Sequence, residues 1–339
     1  MYDELPRVHR RLVPELSELS FPTEVLSTCE DCAMQPRGRE KEERICFTAP
    51  QRCCTYHPRV ANFLVGQALA RDDVGTQRIL ERLKMPDGLY PSAITWPKHL
   101  GEEYANRASD DFGRNEAWGC PYWVEGPLGC SIHRDRGAVC RTWFCKSVNG
   151  RTGWSSRRAL RTVLKSVEET CAHLCVLEGA PPEPGADAEA WEAWYRWCAD
   201  HVDAFDDARI EALRGDRLFG LLRDLGERIV ERDEPMPSIL APSVQSWVTS
   251  ESSVGMSGYS PYDLVELPPW IFGFLSKLDG QKTWREAQRE VFAELGESVT
   301  DDLVLVLYRR GILSSPENLE HAIVNPDFPG LFEDEGKGE

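Results

Sequence analysis

Nine of the chain's 12 cysteines fall between Cys29 and Cys145, in two groups whose types and spacing suit soft metal ions. In the first group, Cys29-Glu30-Asp31-Cys32 is a CxxC. At that spacing one tight turn can aim two thiolates at the same ion while backbone N–H groups bond the sulfurs. Cys53 and Cys54 are adjacent. In an extended segment neighbouring side chains point apart, so the pair is expected to serve different sites, or one ligates while the other packs as a small apolar group. Cys46 raises the same choice.

The second group runs Cys120-Pro121-Tyr122-Trp123, then Gly129-Cys130-Ser131-Ile132-His133, then Val139-Cys140-Arg141-Thr142-Trp143-Phe144-Cys145. Separations of ten, ten and five residues are not those of an amphipathic helix. Gly126, Pro127, Gly129 and Gly137 instead point to loops that wrap a metal. His57 and His133 are candidate substitutes for a thiolate.

These residues carry a resemblance. Cys130-Ser131-Ile132-His133-Arg134 and Cys140-Arg141-Thr142-Trp143-Phe144-Cys145, with an early CxxC and CC, resemble the YkgJ-type cysteine-cluster (CxxCxxCC) proteins. That group is described as zinc- or iron-chelating. The resemblance covers residues 29–150 and implies eight ligands: Cys29, Cys32, Cys53, Cys54, Cys120, Cys130, Cys140 and Cys145. Eight thiolates can close two four-thiolate zinc sites, or hold one [4Fe-4S] cluster with a second site or spare thiols. A similarity to flagellin lysine-N-methylases, regarded as iron–sulfur proteins, tips the expectation towards iron and towards a redox or methyl-transfer enzyme.

The elements that must position these residues are helical. Between the two groups, Val60, Phe63, Leu64, Ala68 and Leu69 follow helical spacing, and after Asp72-Asp73 so do Ile79, Leu80 and Leu83, up to a stop at Met85-Pro86-Asp87-Gly88. Further on, a helix is predicted from Ser156 to about Leu177, and two more from Ala186 to about Val230. Trp191, Trp194, Cys198, Val202 and Phe205 form one apolar stripe, read as core. Cys171, Cys175 and Cys198 are likewise read as core thiols.

After Asp233-Glu234-Pro235-Met236-Pro237, an interdomain linker, short strands are expected at Ser246–Thr249 and Tyr262–Leu267, around a turn-rich Gly255–Pro261. Helices are predicted over Pro268–Leu278, Trp284–Leu295 and Asp301–Arg310, with a capping box at Thr283-Trp284-Arg285-Glu286. Residues 243–314 resemble the PqqD-like winged-helix domains, which bind peptides by strand addition at a sheet edge. The expected fold class is therefore mainly α with loop-rich metal-binding segments. It comprises a cysteine-cluster domain (1–155), a helical middle layer packing on it (156–232), a small winged-helix-like α+β domain (240–315) and an acidic tail (316–339).

Composition narrows the function classes. With 56 acidic against 39 basic residues, a net charge of -17 disfavours a nucleic-acid partner. No apolar stretch is long enough to span a bilayer, so no membrane role is expected. No signal segment is visible, so a cytoplasmic address is expected, where cysteines serve as thiolates rather than disulfides. Nucleophile elbow, phosphate loop, HExxH and dinucleotide fingerprints are all missing from the sequence. Two readings follow: a metal-dependent redox or methyl-transfer enzyme, or a zinc-stapled adaptor whose C-terminal domain takes a peptide or protein partner.

Overall fold

The structure, a computed structural model, describes residues 2–24, 32, 34, 47–126, 129–230, 235–250 and 252–318. Cys29, Cys46, the first two residues of the 233–237 linker and nearly all of the acidic tail lie outside the described residues. The described chain is mainly helical with small antiparallel sheets. No described helix is long and apolar enough to cross a membrane.

Helix α1 (Arg7–Leu12) is followed by strand β1 (Val60–Ala61), helices α2 (Asn62–Leu69) and α3 (Val74–Leu83), and strands β2 (Leu89–Tyr90) and β3 (Ala93–Ile94). The strands pair antiparallel in the order β1-β3-β2. The Asp73 start signal works as a capping box: its carboxylate accepts from Gly75 and Thr76 N–H, while the Thr76 hydroxyl accepts from the Asp73 amide. The stop at Met85–Gly88 is closed by buried Arg82, whose guanidinium donates to the carbonyls of Met85, Asp87 and Thr95. Helix α2 is buried on nearly every side and packs against a later helix so closely that a Cβ at Gly66 would lie 2.0 Å from the Tyr195 carbonyl.

Helix α4 (Lys98–Asp111) precedes the second cysteine group, and the short α5 (Ala138–Thr142) carries Cys140 within it. The long α6 (Gly150–Glu178) begins six residues before the predicted start at Ser156, and α7 (Ala188–Asp203) carries the tryptophan stripe. Where two helices were expected up to Val230 there are three, because Asp206 caps a separate α8 (Asp207–Leu213) before α9 (Asp216–Val230). Trp191, Trp194, Cys198, Val202 and Phe205 are all buried, as is each of Cys171 and Cys175. One hydrophobic core runs through this part, from Leu5 in the N-terminal segment to Ile229 in α9.

The C-terminal part has strand β4 (Ala241–Pro242), the sheet β5 (Ser246–Thr249), β6 (Val254–Ser257) and β7 (Val265–Leu267), helices α10 (Ile271–Lys277), α11 (Trp284–Leu295) and α12 (Asp301–Arg309), and β8 (Leu313–Ser314). β4 pairs with β8, and β6 is the middle strand of β5-β6-β7. Part of the stretch read as turns is thus a strand. Glycine and serine at 252–258 mimic a loop locally, but neighbours on both sides supply the backbone bonds that make it a strand. The predicted capping box at Thr283 and Glu286 is present. This part has its own core, centred on Met256, Ile271, Phe274, Val291, Val304 and Leu307.

Candidate metal centre

Cys53 and Cys54 lie in a 3-10 turn (Arg52–Cys54), not in an extended segment, and their thiols meet. The shared hydrogen bond lowers Cys53 below the ordinary cysteine value, with help from Arg136 and Arg52, and raises Cys54. The turn is fixed by the Thr55 hydroxyl, which donates to the Arg52 carbonyl at 2.9 Å and accepts the Gly113 amide at 2.6 Å. Cys120 is tied directly to it, its amide donating to the Cys54 carbonyl at 2.7 Å.

From Cys120 to Cys130 the chain doubles back. Trp123 and Cys130 form a β-bridge, and the Ser131 amide and hydroxyl both reach the Tyr122 carbonyl at 2.9 Å. This geometry turns the amides of Tyr122 and Trp123 towards the Cys120 sulfur, and the amide of Ile132 towards Cys130. The amide of Met34 donates to the Cys32 sulfur at 3.4 Å in the same i+2 relation. N–H donors aimed at sulfur favour the thiolate over the thiol, and that is the form a metal takes.

Burial works the other way. It pushes the Cys120 thiol up to about 12, and Cys130, Cys140 and Cys145 upward too. Each thiolate also repels its neighbours: Cys120 and Cys130 act on Cys140, while Cys53 and Cys32 act on Cys145. Several buried thiols crowded together cannot ionise without a compensating cation, and a bound metal is one. Arg136 is the cation shared by Cys53, Cys130 and Cys140. The Trp143 indole N–H, which lacks a full hydrogen bond, lies by Cys145 and lowers its thiol somewhat.

Four chain segments therefore contribute thiols to one neighbourhood: Cys32, Cys53 with Cys54, Cys120 with Cys130, and Cys140 with Cys145. The donor chemistry fits a thiophilic ion. As placed, however, no three Cys, His, Asp or Glu side chains among the described residues converge closely enough to hold one.

His57 is held by other bonds. Its ring stacks on Trp96 at 4.3 Å, and Nε2 lies 2.8 Å from the Gly119 carbonyl. Burial lowers it to about 4, so at neutral pH it is uncharged and Nε2 donates. His133 stands among Arg134, Arg136, Arg141 and Glu4. Cys171, Cys175 and Cys198 lie apart in the helical core, where the Cys175 thiol points at the Cys198 carbonyl, 3.8 Å away.

Several participants carry no signal in the sequence. The Ser260 hydroxyl donates to the Cys145 carbonyl at 2.8 Å, and Tyr262 packs edge-on against Phe47, 5.3 Å between ring centres. Both come from the loop between β6 and β7, more than 110 residues from Cys145. Tyr259, Asp263 and Arg310 anchor that loop: Arg310 bonds Asp263, Tyr259 bonds Asp263, and the Ser147 amide donates to the Tyr259 hydroxyl at 3.1 Å. A shallow cleft next to this loop is lined by Trp143, Phe144, Trp154, Arg157, Tyr259 and Tyr262. The Arg157 guanidinium stacks on Phe144 there, at 4.6 Å.

No protein-family model, curated protein or solved structure matches the chain.

Proposed function

We propose that this chain is a cysteine-ligated metal-binding protein of the YkgJ type, with Cys29, Cys32, Cys53, Cys54, Cys120, Cys130, Cys140 and Cys145 as ligands and an iron–sulfur centre preferred over zinc. The observation that carries the reading is the gathering of seven described thiols from four segments, three of them facing backbone N–H groups suited to thiolates. A redox or methyl-transfer enzyme is the functional class this favours. An iron–sulfur centre supplies one-electron transfer, its potential set by burial and by hydrogen bonds to sulfur. The chain's own part is to keep the thiols in a largely dry setting and to direct N–H groups at them.

The anaerobic visible spectrum of the purified protein, read with its iron and zinc content, tests this. A broad reducible band near roughly 400 nm with iron supports the redox reading. A colourless protein with zinc removes it, and a protein with neither metal removes metal binding altogether.

A second reading has its own observation. β5 is an outer strand of its sheet, and Trp247 on it is 60% exposed. A winged-helix-like, PqqD-like domain with such an edge suits a peptide partner that pairs as a further strand while a side-chain contact to Trp247 adds selectivity. In that case the metal staples the N-terminal part and the protein is an adaptor. Slower hydrogen exchange at Ser246–Thr249 of the full chain on adding extended peptides supports it. Unchanged exchange across a varied peptide set counts against it.

A further inference from the structure

We propose that the arginine face of α6, at the shallow cleft it forms with Phe144 and Tyr259, is a docking surface for an acidic segment of a partner protein. The segment it fits is extended and carries carboxylates at every second residue beside an aromatic side chain. Neither a bound metal nor the β5 edge is needed for it.

Charge singles this region out. From Arg134 to Lys165 the chain holds nine basic residues against one acid, Asp135, while the rest of the chain has 30 basic against 55 acidic. Asp135 is buried and paired with Arg71. Arg157, Arg158 and Arg161 all line the cleft, and no described carboxylate does. Two acids close by are engaged with other groups. Glu24 accepts from the Val148 amide at 2.8 Å and the Asn149 side chain at 3.0 Å, and Asp263 is bonded by Tyr259 and Arg310.

The guanidinium groups are set in place by aromatic rings. Arg157 lies over Phe144 at 4.6 Å, and Arg158 over Trp154 at 5.4 Å. A guanidinium already held against a ring gives up less rotamer freedom when a carboxylate arrives. Each one has five N–H donors, so it can bond a partner's carboxylate in addition to the neighbours it has within the chain.

Spacing selects the shape of the partner. At about 100° per residue, positions 157, 158 and 161 fall within one third of the helix circumference, and 157 and 161 are separated by about 6 Å along the axis. In an extended chain, side chains two residues apart point the same way and are separated by about 6.7 Å. Carboxylates at alternate positions of such a segment therefore match Arg157 and Arg161, and an aromatic side chain of the partner can rest on Trp154 or Tyr259. A small molecule is enclosed by its site, which a shallow cleft does not do, whereas a segment lying across the surface needs only a few side-chain contacts. A long polyanion such as nucleic acid would have to run on over the acidic remainder of the chain, and a short acidic run does not. Repulsion elsewhere confines attraction to this face and so orients the partner.

The test uses the full-length protein as purified and a dye-labelled peptide with three glutamates at alternate positions around a phenylalanine. Fluorescence anisotropy should show binding that weakens as salt is raised. Arg157→Gln and Arg161→Gln should each weaken it about tenfold, as expected for a lost charged hydrogen bond, Arg161→Lys should weaken it less, and Arg223→Gln on α9 should leave it unchanged. A peptide of the same composition with its glutamates contiguous should bind more weakly. No binding, equal binding by the arginine variants, or equal binding of the contiguous peptide overturns the proposal. Tighter binding of an oligothymidylate of equal charge overturns it in favour of nucleic acid, and tighter peptide binding after removal of residues 319–339 gives the face to the chain's own acidic end. Because Arg157 packs on Phe144 and its loss can disturb the fold, hydrogen exchange of the wild type gives a second measurement. The peptide should slow exchange within residues 142–158 and leave Ser246–Thr249 unchanged, and the reverse pattern overturns the placement.

Discussion

Two sets of buried thiols in one chain differ in what surrounds them. Cys171, Cys175 and Cys198 sit on α6 and α7, fully enclosed by apolar side chains. Cys53, Cys54, Cys120, Cys130, Cys140 and Cys145 are only half-buried as residues, lie mostly in turns and loops, and meet arginines, indoles and backbone amides. Burial raises the thiol of Cys171 and Cys198, just as it raises Cys120 and Cys140. A raised thiol alone therefore says nothing of ligation. What distinguishes the loop set is the number of groups that favour the thiolate, arginines, an indole and several backbone amides, against a single backbone amide at Cys198 in the helical set.

The strongest way to break this contrast is to remove proposed ligands from one set and small core thiols from the other. Cys140→Ser with Cys145→Ser should abolish most bound metal and destabilise the loop region severely, since structural metal binding is worth on the order of 10 kcal/mol. Cys171→Ala with Cys198→Ala should leave metal content unchanged. Elemental analysis with thermal unfolding decides it, and equal metal loss in both doubles would erase the distinction.

Next in size, Trp194→Ala in the helical region should cost about 3 to 5 kcal/mol in denaturant unfolding without altering metal content, because its buried ring packs the core and its N–H bonds the Pro91 carbonyl. Metal loss in this variant would mean that the two regions are not energetically distinct.

Acid sharpens the comparison from the loop side. His57 falls from 6.5 to about 4 on folding, so the unfolded chain binds the extra proton between those values. The stability this contributes is complete above about pH 6.5 and is lost as pH falls through 4, on the order of 3 kcal/mol in all. His57→Gln should flatten that part of the pH profile of unfolding, and an unchanged profile would remove His57 as its cause.

The smallest expected effect lies in the helical set. Cys171→Ala should cost about 1 kcal/mol, the loss of one buried group of methylene size. Its thiol is raised above the ordinary 9.0, so its contribution is present below about pH 9 and declines at more alkaline pH as the unfolded chain ionises first. The variant should unfold with a shallower alkaline slope than the wild type.

The contrast also shows which parts of the molecule could be read from residues in order. The capping boxes at Asp73 and Thr283, the tryptophan stripe of α7 and the bounds of α11 involve groups within four residues of one another or one repeating face, so short-range rules suffice. Strand β6 escaped those rules because its identity comes from partners on both sides. The turn at Cys53 escaped them because Thr55 fixes it through Gly113, 58 residues away. Tyr262 escaped because nothing in its own neighbourhood shows that it reaches Phe47 and Phe112.

By itself the sequence determined the mainly helical class, the core role of the helical thiols and the soft-donor character of the cysteine groups, since residue type, periodicity and caps are properties of short stretches. Only the tertiary structure decided which thiols become neighbours, which amides face their sulfurs and which loop covers Cys145. Those relations join segments tens to more than a hundred residues apart, and they exist only once the apolar cores have closed and brought the loops together.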